Sequence, residues 1–415
     1  MLTTMRKHLF VLIACLFVVS IGFGVTLPVL PFYAERLAMS AGDSHKTMAW
    51  HVGMLTSVFS LMQLLLAPFW GRLSDKVGRR PLLLMGMAGY GMAQLLFGMA
   101  TTLPLLYLAR ILGGILASAT MPAAAAYVAD ATDEKARGRG MAWLGTAVSL
   151  GAVTGPALGG MVAWRDGHLY SRFGHLLINS FSLPFFAAAL MSFAALLAAL
   201  RWLPESKSIH PKSTSPPTQA SNWREVSRRI RLPLGLSVMS QLSLALFETA
   251  FVLFTQAKLG YDPAQVAIAF MVCGSVMSVF QAGAVSYLSG RVAERTQISI
   301  GFFLMGIGLL LLLALRAEPL VYGTVGLIAL GMAFVSPNLS TAISKSGGSA
   351  TGAALGLQNS ANNLGQALGP IIGAALFAWK AQAPYLLTSV SLLLIGILLG
   401  WKQLPVVASR LRHVS

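Results

Sequence analysis

Long apolar runs, separated by short polar gaps, make up most of this 415-residue chain. The hydrocarbon core of a bilayer is about 30 Å thick, so a helix that rises about 1.5 Å per residue crosses it in about 20 residues. Apolar runs of this length fall near residues 9–33, 49–70, 82–101, 104–128, 140–164, 179–201, 232–256, 264–289, 298–316, 319–342, 353–379 and 383–402. The pattern predicts an all-α membrane protein with twelve transmembrane helices.

The polar gaps between these runs alternate in charge. With both termini placed in the cytoplasm, the cytoplasmic gaps and tails carry 22 Lys and Arg residues and the opposite side carries 7. Cytoplasmic loops are enriched in Lys and Arg, so we predict a multi-pass protein of the bacterial inner membrane with both termini cytoplasmic and the lipid bilayer as its surroundings. The net charge of +17 lies in these loops. Because nucleic-acid binding requires basic residues clustered on one folded face, we expect no nucleic-acid partner.

The chain divides into two halves of six apolar runs each. Residues 203–230 form the only long polar segment, and their Pro, Ser and Lys content is typical of a flexible linker. We therefore predict an N-terminal six-helix bundle (1–202), a cytoplasmic linker (203–230) and a C-terminal six-helix bundle with a short cytoplasmic tail (231–415). The halves repeat each other at a nearly constant offset, as seen in Pro104 and Pro319, Tyr107 and Tyr322, Pro122 and Pro337, and Gly155 and Gly369. Such a repeat indicates two pseudo-symmetric bundles.

Three segments of the first half resemble motifs of the major facilitator superfamily. Residues 71–80 (GRLSDKVGRR) resemble the signature loop between helices two and three of that superfamily, and residues 110–114 (RILGG) resemble its Arg-bearing motif in helix four. Residues 151–160 (GAVTGPALGG) resemble the helix-five motif of its drug:proton antiporters. The resemblance covers the whole chain and implies a twelve-helix transporter of the drug:proton antiporter type.

The helix 2–3 loop contains four residues that the resemblance assigns to a conformational latch: Gly71, Asp75, Arg79 and Arg80. A Gly permits a tight turn, an Asp can cap a helix or pair with Arg, and basic residues anchor a loop at an anionic inner leaflet. The resemblance implies that this group holds the cytoplasmic ends of the halves together in the outward-facing state. Anchoring of the loop at the membrane surface is the alternative.

Small residues line one face of the fifth predicted helix. Gly151, Gly155 and Gly159 recur every four residues, which lets another helix backbone approach closely, and Pro156 weakens the local hydrogen-bond ladder. We expect these residues, together with Gly160, to form an interface between the halves that slides or parts during transport. Close packing without such movement is the alternative.

Two ionisable residues are predicted inside the membrane. Arg110 lies about seven residues into the fourth predicted helix, roughly 10 Å below the outer surface, and charged residues at such depth usually face the bundle interior. Glu248 is the only acidic residue well inside any predicted span. A carboxyl group held away from water can exchange protons near neutral pH, so we expect Glu248 to couple proton movement and to sense substrate or Arg110. Snorkelling of Arg110 to the surface and a structural, hydrogen-bonded Glu248 are the alternatives.

Amide side chains supply the candidate lining of a cavity. Gln358 and Asn362 stand four residues apart in the eleventh predicted helix, and a polar stripe of this kind must face protein or water. Gln241 and Asn338 are further candidates. For all four, hydrogen bonding between helices is the alternative to substrate contact.

These features predict a secondary active transporter that exports small amphipathic or drug-like molecules by proton antiport and alternating access. Two other functions stay open: export of one endogenous metabolite, such as a metallophore or siderophore, and proton-coupled uptake. We expect a monomer, because the two halves already supply both sides of a cavity. The spans contain no paired carboxylates, no metal-ligand spacing and no phosphate-binding Gly-Lys loop. We therefore predict no catalytic residue, metal or cofactor, and a membrane enzyme or a channel is not expected.

Overall fold

The computed structural model describes residues 2–40, 42, 45–132, 134–164, 171–173, 176–178, 181–206, 228, 230–281, 286–288, 291–347 and 351–401. In the first half the chain forms α1 (Leu2–Ser40), α2 (His45–Val77), α3 (Arg79–Gly98), α4 (Leu103–Ala117), α5 (Thr120–Ala131), α6 (Glu134–Trp164) and α7 (Leu183–Trp202). An antiparallel hairpin of β1 (Ser171–Phe173) and β2 (Leu176–Ile178) lies between α6 and α7 in sequence, with Arg172 opposite Leu177.

The second half contains helices and no strand among its described residues. It forms α8 (Arg231–Leu259), α9 (Pro263–Phe280), the short α10 (Ser286–Leu288), α11 (Glu294–Ala314), α12 (Glu318–Gly347), α13 (Thr351–Trp379) and α14 (Ala383–Trp401). Ten segments of the described chain are long and apolar enough to cross a membrane, with α4 and α5 counted as one span. The further long helices α6 and α13 contain 31 and 29 residues and bring the long helical spans of the described chain to twelve. The predicted all-α membrane architecture is confirmed, whereas the apolar pattern does not predict the small hairpin.

Large apolar side chains cover much of the outside of the helices. Leu190, Leu197, Val279 and Leu398 are between 65% and 72% exposed. Exposed apolar surface of this extent is unfavourable in water and suits contact with lipid tails.

The fourth span is interrupted, whereas its counterpart in the second half is continuous. A short gap separates α4 from α5. Pro122 explains the gap, because a proline ring clashes with the carbonyl four residues earlier, here that of Ser118, and has no N–H to donate to it. Pro337, the equivalent residue of the repeat, lies inside the unbroken α12. The same residue type at the equivalent position is therefore accommodated in two ways.

The chain forms two compact units. One contains Met1–Thr218 and Phe251–Met271, and the other contains Gln219–Ala250 and Val272–Ser415. This division differs from the predicted domains, because the C-terminal part of α8 and the N-terminal part of α9 group with the first half. The start of the predicted linker differs as well, since Leu203 is buried in the first unit.

The core of the first unit forms where α1 contacts α6 and α7 and where α3 contacts α4 and α7. Leu12 and Leu16 of α1, Met87 of α3, Tyr127 of α5 and Ala199 of α7 are buried in one cluster. In a bilayer the lipid tails are as apolar as these side chains, so the cluster is stabilised mainly by close van der Waals packing.

The core of the second unit is built around α11, which packs against α12 and α14. Phe302, Met305 and Leu309 of α11 are at most 1% exposed. A Cβ atom added at Gly301 would lie 2.6 Å from the carbonyl oxygen of Gly331, and one added at Gly331 would lie 2.5 Å from that of Gly301. The backbones of α11 and α12 therefore touch at this point, which only glycine permits.

The repeat in the sequence recurs in the packing of the glycine-rich helices. A Cβ added at Gly151 of α6 would lie 2.7 Å from the Phe17 carbonyl oxygen of α1, and one added at Gly365 of α13 would lie 2.6 Å from the Val238 carbonyl oxygen of α8. Both the two glycines and the two carbonyls occupy equivalent positions of the repeat. Each unit thus uses the same helix pair in the same register.

Candidate functional site

Charged side chains surround Arg79 where α2 ends and α3 begins. We call this group the Arg79 cluster; it consists of Ser74, Asp75, Arg79, Asp130, Glu205 and Ser206. The Arg79 guanidinium places Nη1 2.6 Å from Asp75 Oδ1 and Nε 2.9 Å from Asp130 Oδ2. Its side chain is 12% exposed, that of Asp130 is 32% exposed and that of Asp75 is 69% exposed. Because solvent weakens exposed ion pairs, the contact with Asp130, which ties the loop to the end of α5, is the stronger one.

Glu205 caps the N-terminus of α3. Its carboxylate accepts hydrogen bonds from the backbone N–H of Arg79 (2.9 Å) and of Arg80 (3.1 Å). The first N–H groups of a helix have no partner within the helix and carry partial positive charge, so a carboxylate stabilises them. Gly78, just before the helix, has φ +112°, and a Cβ added there would lie 2.6 Å from Glu205 Oε2. Glycine meets both the backbone and the steric requirement.

The predicted latch residues take different positions. Asp75 and Arg79 contact each other, and the Arg80 guanidinium donates to the carbonyl oxygen of Leu200 at 2.8 Å. A Cβ added at Gly71 would meet no atom within 4 Å. These contacts join elements of the first half to one another, so a latch between the halves stays a prediction.

Sequence reasoning does not assign Asp130 or Glu205 to this cluster. Asp130 closes the last turn of α5, where its Oδ2 also accepts a hydrogen bond from Ser206 Oγ at 3.2 Å. Composition places Glu205 in the linker because the polar segment begins there. The available signal is an acid directly after the last apolar run of the half, in a bundle whose loops are strongly basic.

Arg110 of α4 lies between two aromatic rings. Its Cζ is 5.4 Å from the ring centroid of Phe59 and 5.2 Å from that of Phe97. The residue is 8% exposed, and its Nε makes no hydrogen bond with a described residue. Ring faces attract a guanidinium, but a buried N–H without an acceptor is costly. The predicted interior position of Arg110 is therefore what the structure has, with part of its hydrogen-bonding capacity unused.

A hydrogen-bonded group in α3 belongs to the same unit as Arg110. The Gln94 amide donates to the Gly22 carbonyl oxygen at 3.1 Å and to the Tyr90 hydroxyl at 2.9 Å. Tyr90 and Gln94 are 4% and 5% exposed. These bonds fix the Gln94 side chain between α3 and α1, which leaves little freedom for it to turn toward a ligand.

Gly151, Gly155 and Gly159 of α6 pack on α1, and a moving interface between the halves stays a prediction. A Cβ added at Gly155 would lie 2.6 Å from the Gly24 Cα, and one added at Gly159 would lie 2.7 Å from the Val25 carbonyl oxygen. Gly151 meets α1 in the same way. Residues four apart share a helix face, so the glycine spacing predicts that another helix packs closely on this face. It does not predict which helix that is. In turn, a Cβ added at Gly24 would lie 2.8 Å from Cδ of Pro156.

Gly160 faces a different neighbour. A Cβ added there would lie 2.2 Å from the Ala267 Cβ of α9, within the segment Phe251–Met271 of the first unit. In the same unit the Gln256 amide donates to the Glu35 carboxylate. Glu35 and Gln256 are 221 residues apart, the same separation as between Phe17 of α1 and Val238 of α8, which meet equivalent glycines. Equivalent positions of the two helices therefore meet here.

Glu248 lies on α8 in the second unit and is half-buried. Its neighbours in sequence, Phe247 and Thr249, are buried. The carboxylate makes no hydrogen bond and no ion pair with a described residue. Because Arg110 belongs to the other unit, the expected interaction between the two residues stays a prediction.

The four candidate amides differ in their hydrogen bonding. Asn338 is buried and donates to Gln297 of α11 at 3.1 Å, and Gln358 is buried and donates to Ser340 of α12 at 3.0 Å. These bonds join helices, which is the alternative role. Gln241 and Asn362 are half-buried. Substrate contact stays a prediction for all four.

The second unit carries its own charged contacts at the start of α11. Glu294 forms an ion pair with Lys345 of α12, and their side chains are 30% and 68% exposed. The Arg295 guanidinium donates to the carbonyl oxygen of Leu399 at 3.1 Å. Among the described residues no group of three or more His, Cys, Asp or Glu could hold a metal ion. The site residues are thus an intramembrane cation and acid, helix contacts, and charged clusters at helix ends.

Comparison with known proteins places this architecture in a family. The family model of the Major Facilitator Superfamily matches residues 12–353 and, in a second match, residues 234–412. Multidrug resistance protein 2 of Bacillus subtilis (strain 168) is 27% identical over 406 residues, which cover 96% of this chain and 96% of that protein. Quinolone resistance protein NorA of Staphylococcus aureus (strain MSSA476) is 26% identical over 408 residues, which cover 96% of this chain and 97% of that protein.

Solved structures share the fold. The human organic anion transporter MFSD10 (TETRAN) has a TM-score of 0.66 and 23% identity, covering 95% of this chain and 99% of that one. A bacterial homologue of the human lysosomal transporter Spinster has a TM-score of 0.74 and 13% identity, covering 95% of each chain. At these identities the likeness shows the fold alone, whereas the family match spans most of the sequence. The chain belongs to the Major Facilitator Superfamily and is a multi-pass membrane transporter.

Proposed function

We propose that the protein exports small amphipathic or drug-like molecules across the bacterial inner membrane in exchange for protons. A multidrug resistance protein and a quinolone resistance protein align with nearly the whole chain. The observation that carries the proposal is Glu248, a half-buried acid on a membrane-spanning helix whose carboxylate makes no hydrogen bond or ion pair within the described chain.

The chemistry of antiport follows from that carboxylate. An ionised carboxylate without a partner is costly in an apolar surrounding. It is therefore most stable when it holds either a proton or the positive charge of a bound molecule. Competition between the two for Glu248 links the release of one to the binding of the other, which is the exchange that an antiporter needs.

Arg110 supplies a second polar group with an aromatic surface. The rings of Phe59 and Phe97 lie 5.4 Å and 5.2 Å from its Cζ, and its Nε has no acceptor among the described residues. A flat, partly apolar molecule with an acceptor atom fits this combination. In the proposal, Arg110 holds its charge in every state and changes partners as Glu248 gains and loses its proton.

Alternating access requires contacts that form and part. We assign this role to two contacts, the hydrogen bond between Glu35 and Gln256 and the close approach of Gly160 and Ala267. Small residues at a contact allow it to separate without breaking large packed surfaces. We assign a further such contact to the exposed Asp75, near the C-terminal end of α2. In the proposal Asp75 approaches a residue of the second half when the transporter changes state, which is the latch that the family resemblance implies.

The test is transport of a fluorescent quinolone into inverted membrane vesicles that contain the full-length protein. We expect accumulation when the vesicle interior is acidified and loss of most of it when the pH gradient is collapsed. Glu248→Gln removes the titrating group with little change in shape and is expected to abolish the dependence on the gradient. Glu318→Gln is the matched control, because Glu318 lies at the first residue of α12, where it accepts a hydrogen bond from Tyr322 at 2.5 Å.

Three outcomes would overturn the proposal. Gradient-driven transport that is unchanged in Glu248→Gln would remove Glu248 from proton coupling. Transport that proceeds only in the opposite direction would indicate uptake. If no quinolone or other drug moves but the gradient still drives loss of a cellular metabolite, the function is dedicated export of that metabolite.

A further inference from the structure

A groove opens between the first turns of α1 and the last residue of α7. We call it the inner groove; it is lined by Lys7, His8, Phe10, Val11 and Trp202 and has a volume of about 560 Å³. Phe10 is 71% exposed and Trp202 is 57% exposed. Both rings therefore present apolar surface to whatever surrounds the helix ends.

The groove is closed on its deeper side by packing between the same two helices. Leu12, Cys15 and Ala199 are buried in the core of the first unit, and the Cys15 Sγ–H donates to the Ala195 carbonyl oxygen at 3.3 Å. The helices are thus in contact one to two turns away from the groove. The result is a slot with an apolar floor and a basic rim.

The described charged side chains at the groove and at the end of α7 are basic. Lys7 is exposed and Arg201, in the last turn of α7, is exposed. The acid that follows in sequence, Glu205, is engaged by the backbone N–H groups of Arg79 and Arg80. No carboxylate is among the five described residues that line the slot, so this part of the rim favours an anion.

A molecule that fits must combine an anionic head with an apolar tail. Basic pockets between membrane helices attract anionic lipid headgroups, and Trp side chains favour the level of the headgroups. Lys can lay its apolar stem along the helix while its ammonium group reaches a phosphate. We propose that the inner groove binds one anionic phospholipid, with the phosphate at Lys7 and His8 and an acyl chain along Phe10, Val11 and Trp202. Assignment to the inner leaflet rests on the proposed orientation of the helices, whereas binding itself does not.

The duplication supplies matched controls. Arg228 precedes α8 at the position of the repeat that is equivalent to Lys7 before the apolar part of α1, and it is also exposed. Trp401 ends α14 as Trp202 ends α7, and it is 70% exposed. These residues share the type of side chain and the place in the repeat but do not line the inner groove.

The experiment measures quenching of tryptophan fluorescence by brominated lipid in vesicles that contain the full-length protein. Brominated phosphatidylglycerol and brominated phosphatidylcholine are compared at the same low mole fraction, in the unchanged protein and in Trp202→Phe and Trp401→Phe. The signal lost in each variant gives the quenching of that one tryptophan. For Trp202 we expect an apparent preference for phosphatidylglycerol of about fivefold, the effect of one basic residue near an anionic lipid, and for Trp401 a smaller preference.

Charge variants then test the site itself. Lys7→Gln is expected to reduce the preference at Trp202 to about twofold or less, and Arg228→Gln is expected to leave it unchanged. Equal quenching of Trp202 by both lipids, or equal effects of Lys7→Gln and Arg228→Gln, would overturn the proposal and indicate general attraction of anionic lipid to a basic protein. Quenching by brominated phosphatidylcholine serves as the folding control for each variant. The measurement needs no substrate and no gradient, so its failure is distinct from a failure of the proposed antiport.

Discussion

The Arg79 cluster of the first unit and the start of α11 in the second unit each contain an ion pair between the same two elements of the repeat, with the charges reversed. In the first unit the basic Arg79 reaches Asp130 at the end of the fourth span. In the second unit the acidic Glu294 reaches Lys345 at the end of the tenth. Asp130 and Lys345 occupy equivalent positions of the repeat. Both halves therefore have an ion pair between these two elements, but the basic and the acidic residue have exchanged places.

The two ion pairs differ in their surroundings. Arg79 is 12% exposed and contacts two carboxylates and the Ser74 hydroxyl, whereas Lys345 is 68% exposed and contacts one carboxylate. Solvent-exposed ion pairs contribute about 0–1 kcal/mol. The first unit therefore has a partly buried network at this end, whereas the second unit has only a surface ion pair.

One contact is shared without change. The Arg80 guanidinium donates to the Leu200 carbonyl oxygen, and the Arg295 guanidinium donates to the Leu399 carbonyl oxygen. Each carbonyl lies in the last turn of the final helix of its half, where carbonyl groups lack partners within the helix. A cation there is favourable for the helix dipole, which gives this arginine a structural role that does not depend on the order of the charges in the neighbouring ion pair.

The largest expected difference between the units concerns the residue before the third and the ninth span. Gly78 has φ +112°, whereas Ala293, its equivalent in the repeat, has φ −57°. In Gly78→Ala the new Cβ enters a backbone region reserved for glycine and displaces the Glu205 cap, which together cost roughly 2–4 kcal/mol. We expect a large fall in the midpoint of thermal unfolding in detergent.

Ala293→Gly is the reverse change at the equivalent position. It adds only backbone freedom in the unfolded chain and is expected to cost less than about 1 kcal/mol. Equal shifts of the unfolding midpoint in the two variants would show that the Gly78 conformation is not held by the folded protein.

The next prediction compares how much the Arg79–Asp130 and the Glu294–Lys345 ion pairs contribute to stability. Arg79→Gln removes the guanidinium from Asp130, which keeps its hydrogen bond from the Ser206 hydroxyl. The variant is expected to lower the free energy of unfolding by about 2 kcal/mol, since bonds to charged groups contribute about 1.5–3 kcal/mol and the exposed Asp75 contributes little. Lys345→Gln is expected to cost less than about 0.5 kcal/mol. The check is denaturation of both variants in the same detergent, and a shift in Lys345→Gln as large as in Arg79→Gln would contradict the contrast between network and surface pair.

Sequence reasoning finds the helices because the bilayer imposes a length and an apolar composition on each of them. It finds the repeat because glycine and proline positions are readable without a structure. The interruption of the helix before Pro122 is harder to predict from the sequence, because Pro337 lies at the equivalent position inside an unbroken helix. Local sequence alone does not tell which of the two the neighbouring helices will permit.

Contacts between distant segments are the part that sequence reasoning misses. Composition assigns Glu205 to the linker because it marks where polarity begins, not where packing ends. The spacing of Gly151, Gly155 and Gly159 correctly predicts that another helix packs closely on this face. The spacing does not show that this helix is α1, which belongs to the same half. The hydrogen bond between Asn338 and Gln297 joins two residues whose separation in sequence carries no periodic signal.

The smallest expected effect tests whether the exchanged sign matters at all. Glu294→Lys alone places two ammonium groups together and should lower the unfolding midpoint slightly, because like charges repel by an amount similar to the attraction they replace. Lys345→Glu alone should act in the same way. The double variant restores an ion pair of reversed sign, which is the polarity found between Arg79 and Asp130. A double-mutant cycle is therefore expected to give a coupling of about 0.5 kcal/mol that shrinks as salt is raised. If the destabilisation of the double variant equals the sum of those of the single variants, Glu294 and Lys345 are each held by other neighbours. In that case the surroundings fix which of the two positions carries the acid, and the charges cannot be exchanged.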